Sequence, residues 1–155
     1  MRIWVDADAC PVPVKELVIA AAKRLRLEAV MVANKQLFLE KSPFLSFVKV
    51  DLQADAADAY IVEHANDRDL VVTQDIPLSH CLVSRGVKAI DPRGQEYTVD
   101  NIGERLSMRD LMQGLRDSGE ITGGPKQFGP KEKHAFAATF DRVLTRLLRS
   151  QAIGG

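Results

Sequence analysis

Cysteine is scarce in this chain of 155 residues, with Cys10 and Cys81 the only two. Two thiols exclude a disulfide framework and a cysteine-rich zinc cage, and both read as buried or idle. Long apolar runs are lacking as well. Nothing approaches the roughly 18 residues needed to span a membrane, and no signal-peptide pattern precedes the first apolar run. These absences lead us to expect a cytoplasmic protein with no membrane partner. An excess of either charge is also missing, since 21 Lys and Arg balance 21 Asp and Glu. Holding nucleic acid by bulk charge alone is thereby excluded, although a local basic rim is not. Histidine is sparse, and His64, His80 and His134 have no nucleophile paired with them in the sequence.

What is present suits an ordinary globular domain, with 46% hydrophobic and 27% charged residues. The length predicts a single domain over 1–150 and a flexible tail at 151–155. Ile3 to Val5 reads as a short strand. Val14, Leu17, Val18, Ala21 and Leu25 then recur at helical spacing over Val14 to Leu27, with Pro13 suited to the first turn. Glu28–Ala33, part of Phe44–Val50, Leu70–Thr73 and Val87–Ile90 read as strands. Asp55–Ala65 and Ile76–Arg85 read as helices between them. Such alternation predicts a mainly parallel sheet of about five strands with helices on both faces, a three-layer α/β/α sandwich. The last third is helical, over Ile102–Arg116 and Glu132–Leu148. A connection over Asp117–Pro130, rich in glycine and proline, joins the two. We find no internal repeat.

The acids carry the chemistry. Asp6 and Asp8 end the first strand, and Asp75 follows Leu70–Thr73. Asp55 and Asp58, three residues apart, share a helix face. Parallel neighbouring strands bring their carboxyl ends to one edge, where open α/β sheets bind ligands. Crowded carboxylates need a cation, because two charges about 4 Å apart repel by about 4 kcal/mol at an effective dielectric near 20. Oxygen donors without a His or Cys cluster suit Mg²⁺ or Mn²⁺, an ion that serves phosphodiester or phosphomonoester chemistry. Each acid also has a structural reading. Asp55 with Asp58 fits a variant capping box, Asp75 fits a helix cap, and Asp8 fits a cap near Pro11. Asp6 is the hardest to explain by structure alone.

Substrate contacts are expected from the basic later half. Arg109 and Arg116, seven apart, share a helix face. Arg93 and Lys126 are further candidates, the latter within the glycine-rich connection, which could lie over the acidic edge as a lid.

Ile3-Trp-Val-Asp-Ala-Asp-Ala-Cys-Pro11, Asp55-Ala-Ala-Asp58 with Ile61, Asp69-Leu-Val-Val-Thr-Gln-Asp-Ile-Pro-Leu78, Pro92-Arg-Gly94, Asn101-Ile102, Arg109 and Gly123-Gly-Pro125 together resemble the YaiI/YqxD family of uncharacterised bacterial proteins. That family is in turn distantly similar to PIN-domain-like nucleases, which cut RNA with acid-bound Mg²⁺ or Mn²⁺ at the carboxyl edge of a parallel sheet. The resemblance implies metal ligands at Asp6, Asp58 (or Asp55) and Asp75. Such sites often have a further acid two residues after the last one. Pro77 stands there in this chain, and Asp8 is the candidate substitute.

Three readings compete. The first is a metal-dependent ribonuclease using Asp6, Asp8, Asp58 and Asp75. A haloacid-dehalogenase-like phosphatase would instead use Asp6 as nucleophile and Asp8 as general acid/base, with Thr73 ending a later strand. The third is a non-catalytic RNA- or protein-binding module of the same fold.

Overall fold

Ile3, Trp4 and Val5 are all buried in β1 (Arg2–Asp6), which requires a strand covered on both faces. The computed structural model describes residues 1–53, 55–121 and 127–153. After β1 come α1 (Val12–Leu25), β2 (Glu28–Ala33), β3 (Leu45–Lys49), α2 (Ala56–His64), β4 (Leu70–Val72), α3 (Ile76–Ser84) and β5 (Lys88–Ile90). A two-residue strand β6 (Glu96–Tyr97) and the helices α4 (Val99–Asp117) and α5 (Pro130–Ile153) complete the order.

The sheet runs β3-β2-β1-β4-β5-β6, with every pairing parallel except β5 with β6. The period-two alternation of β1 sorts its side chains between two cores. Ile3, Val5 and Ala7 join Val14 and Val18 of α1 and Phe136 and Phe140 of α5. Trp4 joins Ile61 of α2, Leu78 and Leu82 of α3, and Ile102 of α4. The expected α/β/α sandwich is therefore present, with α1 and α5 on one face and α2 to α4 on the other.

Pro13 lies in the first turn of α1, and Arg26 closes the helix in the left-handed region at φ 56°. No helix joins β2 to β3. Instead Leu37 and Leu39 pack against the first core, holding Phe38 between them outward and 94% exposed. Asp69, 1% exposed, ties the amino ends of β1 and β4 together. It accepts from the Arg2 backbone N–H at 2.8 Å, Trp4 Nε1 at 2.9 Å and the Asn66 N–H at 3.1 Å.

The antiparallel β6 adds a sixth strand to the expected five; two residues are too few to show a period. α4 starts three residues earlier than expected because Thr98 and Asn101 form a reciprocal capping box. Val83 and Gly86, at the end of α3, line a small cavity with Thr98 and Val99, so α4 runs back toward the carboxyl edge. Its 19 residues outrun the 9 of α3, and its second half stands clear with Met108 and Leu111 exposed. α5 continues to Ile153, so helix occupies the first part of the expected tail. Among the described residues no helix is long and apolar enough to cross a membrane.

Glycine is required at position 94, in the turn between β5 and β6. Its φ is +93°, and a Cβ there would lie 2.6 Å from the Ala135 carbonyl of α5. Thr139 Oγ1 also donates to the Gly94 carbonyl at 2.6 Å, so α5 sits directly on this turn. Gly94→Ala combines left-handed strain with a backbone clash. We expect a loss of about 2–4 kcal/mol, read as a lower midpoint in urea denaturation. An unchanged midpoint would contradict this docking.

Candidate active site at the carboxyl edge of the sheet

The strand order reverses between β1 and β4, and the crevice beyond their carboxyl ends is where open α/β sheets bind ligands. Asp6 is the last residue of β1 and follows the parity of Trp4, so it faces the α2–α3 layer. Val5 pairs with Val72, which brings the next residues, Asp6 and Thr73, side by side. Thr73 is 1% exposed, and its Oγ1 donates to Asp6 Oδ2 at 2.9 Å. The same Oγ1 accepts from the Asp75 N–H at 3.0 Å. Asp75 is the N-cap of α3, its Oδ1 accepting from the Leu78 N–H at 2.8 Å. Asp58, in the first turn of α2, shares a side-chain hydrogen bond with Asp75.

Asp6, Asp58 and Asp75 thus form one electrostatic group. Burial raises the proton affinity of Asp6, the Thr73 hydroxyl opposes this, and the charges of Asp75 and Asp8 add to the rise. Asp58 is pushed up to about 7, first by burial and then by the charge and hydrogen bond of Asp75, with Asp6 and Asp55 contributing. Among the described residues, no Lys, Arg or His forms an ion pair with any of the three. Hard oxygen donors with uncompensated charge fit a divalent cation in donor type and charge. Their spacing is open: among the described residues, no three His, Cys, Asp or Glu side chains are drawn together closely enough to hold a metal ion.

The remaining sequence candidates are dispersed. Asp8 does not cap α1, whose N-cap position is Pro11 with no side-chain bond. It instead accepts from the Asn34 N–H at 2.7 Å and the Lys35 N–H at 3.4 Å, fixing the loop after β2. Asp55 stands at the N-cap of α2 but makes no capping bond and has φ 71°, so the capping-box expectation is not met. Arg93 lies in the β5–β6 turn, 3.9 Å from Glu132 and with its guanidinium 5.8 Å from the Phe128 ring centroid.

Arg105 donates to Gln95 of the same turn, so α4 is level with the strand ends at this residue. Arg109, paired with Asp110 at 2.9 Å, and Arg116 lie roughly 6 and 17 Å farther along the helix axis, clear of the acids. Lys126 and most of the expected lid lie outside the described residues. Cys10 is buried beside Asp6, and burial pushes its thiol up to about 12, which leaves it inert. His64, His80 and His134 are exposed.

Sequence reasoning missed Thr73 as the residue that holds Asp6, and Asp69 as the clamp. The β-branched run into Thr73 was the available signal for the first, since its parity places it on the Asp6 face.

These features define a doubly wound α/β domain with an acidic site at its topological switch point. The chain belongs to the YaiI/YqxD family: the family described as "Uncharacterized BCR, YaiI/YqxD" matches residues 4–146. It is similar to a UPF0178 protein of Syntrophobacter fumaroxidans, 54% identical over 97% of this chain and 99% of the relative. UPF0178 proteins of Geobacter metallireducens and Myxococcus xanthus are 50% and 46% identical, covering 96% and 97% of this chain and 96% and 99% of theirs. No solved structure matches the chain.

The raised value of Asp58 has a consequence for stability. Its ordinary value is 3.8 and its folded value about 7, so the folded state holds the proton more tightly. The stability this contributes is complete below about pH 4 and lost as pH rises through 7. In EDTA, Asp58→Asn should flatten the fall in melting temperature between these limits and raise it at pH 8. A slope equal to that of the wild type would show that Asp58 titrates normally.

Proposed function

We propose that this protein is a divalent-metal-dependent phosphodiesterase acting on RNA. The observation that carries the reading is the gathering of Asp6, Asp58 and Asp75 at the switch point, with no Lys, Arg or His ion-paired to any of them among the described residues. An apolar strand ending in a half-buried acid is costly unless that acid is used. The structural part of the arrangement, the α3 cap, occupies one Asp75 oxygen.

Asp6, Asp58 and Asp75 would hold Mg²⁺ or Mn²⁺, with Asp55 nearby as a further acid. When bound, such an ion stabilises charge on the phosphate and makes a bound water more acidic. The Thr73 hydroxyl fixes the Asp6 carboxylate, and a carboxylate oxygen of Asp58 is suited to accept a proton from the attacking water. In the overall step the water oxygen bonds to phosphorus and one P–O ester bond breaks. The departing oxygen takes up the proton, leaving a phosphomonoester and a hydroxyl.

The phosphatase alternative is weakened by the position of Asp8. A general acid/base must be free to reach the leaving group, whereas both of its oxygens face the backbone of Asn34 and Lys35. The open spacing of the acids favours the binding-module reading, and metal uptake separates it from the nuclease.

Calorimetric titration with Mn²⁺ and Mg²⁺ provides the test. The wild type should take up metal, and Asp6→Asn/Asp75→Asn should not. Thr73→Val should weaken uptake about 10–100-fold, the usual cost of removing the partner that orients a ligand. Short single-stranded RNA should be cut by the wild type only with metal present, and not by the double variant. No uptake at millimolar metal would overturn the reading and leave the binding module.

A further inference from the structure

The two side edges of the sheet are finished differently. β6 is two residues long and gives way at once to the Thr98 cap of α4, which blunts that edge. The other edge is β3, five residues that pair with β2 alone among the described strands. It has no proline and a single charge, Lys49 at its end. The Ala29 N–H donates to the Phe44 carbonyl at 2.8 Å, and the Val50 N–H to the Ala33 carbonyl at 2.9 Å. Residues alternate along such a ladder, so Phe44, Ser46, Val48 and Val50 turn their backbone groups toward β2. Leu45, Phe47 and Lys49 turn theirs outward. The Leu45 N–H folds back to the Ser42 carbonyl at 3.3 Å, and among the described residues no hydrogen bond reaches the N–H of Phe47 or Lys49.

Apolar surface collects along the same edge. Leu45 and Phe47 lean on the first core, and Val48 and Val50 on the second. All four stay half-buried, whereas Ile3, Trp4 and Val5 of β1 are buried. Phe38 at 94% and Leu52 at 83% are the two most exposed large hydrophobic residues among those described. Phe38 lies in the connection that leads into β3, and Leu52 follows the end of the strand. Leu37, Leu39, Leu45 and Phe47 line a groove between connection and strand. An open edge with apolar flanks is a template for another strand.

We infer that β3 pairs with β3 of a second copy of this chain, antiparallel about a two-fold axis through Phe47, so that two sheets run on as one. In this register Phe47 exchanges both outward bonds with Phe47 of the second copy, and the Lys49 N–H meets the Leu45 carbonyl. Charge selects a second copy as the occupant. Glu40 and Lys41 lead into the strand, Lys49 and Asp51 lead out of it, and all four are exposed. Antiparallel pairing sets the start of one copy against the end of the other, so Lys49 meets Glu40 and Asp51 meets Lys41. Lys23 of α1 holds Glu40 in place at 2.9 Å through one carboxylate oxygen. With β6 blunted, the assembly closes at two subunits. The two-fold axis points the acidic edges in opposite directions, and each lies within one chain. The pairing therefore stands or falls separately from the metal-ion reading.

Sedimentation equilibrium tests the pairing. The wild-type mass should rise from one chain toward two with concentration, and amide exchange at Phe47 and Lys49 should slow over the same range. Lys49→Glu and Glu40→Lys each set like charges together twice, and each alone should weaken association at least about tenfold. An equimolar mixture of these two variants restores both opposite-charge contacts and should associate like the wild type, which also shows that both are folded. Phe38→Ser, at a side chain too exposed to support folding, should weaken association in the same direction. A wild type that stays one chain at every concentration, single variants that associate unchanged, or a mixture that fails to recover would each overturn the inference. So would a dimer lost in Leu111→Ser but kept in Lys49→Glu, which would move the interface to the exposed face of α4.

Discussion

The pairing of β1 with β4 is the constraint on which the rest of the structure depends. Asp69 fixes it at the amino end, through three N–H donors reaching a carboxylate that is 1% exposed. Ile3 then stands opposite Leu70, and Val5 opposite Val72. One residue later the same register sets Asp6 beside Thr73, and their hydrogen bond closes the carboxyl end. A slip of one residue would turn Trp4 into the α1–α5 core and Asp6 away from Asp58 and Asp75. A buried acid at one edge of the sheet thereby positions an acidic site at the other.

The two ends use carboxylates differently. Asp69 is satisfied by donors, whereas Asp6, Asp58 and Asp75 push against one another. Asp58 is pushed up to about 7 because it is part-buried among like charges. Asp55 adds left-handed backbone just before α2, a conformation that costs a residue other than glycine about 1–3 kcal/mol. Folding alone would favour removing such features, yet they concentrate at the switch point.

Much of this was legible in the sequence because it is local. The apolar run into Asp6, the β-branched run into Thr73 and the alternation of strands with helices predict the sandwich and put Asp6 and Asp75 at one edge. Period two also sorts Trp4 from Val5, and so sets the face on which Asp6 lies. What escaped was long-range or short-lived. Asp69 reads as a loop residue among Asn66, Asp67 and Arg68, and its partner Trp4 is 65 residues away. β6 is two residues long and, among the described strands, pairs with β5 alone. Asp8 reads as a site acid or a helix cap, but its donors come from the loop after β2. The capping role suggested for Asp75 is realised, while the one suggested for Asp55 is not, a difference decided by backbone conformation that residue type does not reveal.

The central claim is that Asp6, Asp58 and Asp75 act together as the ligands of one divalent cation. A crystal of the wild-type protein grown with Mn²⁺, with diffraction measured at the manganese edge, tests this most directly. The account predicts one strong anomalous peak among the three carboxylates, with Asp8 still bound to the loop after β2. An acidic edge that stays free of anomalous density in Mn²⁺, or a peak at Asp8 away from Asp58 and Asp75, would contradict it.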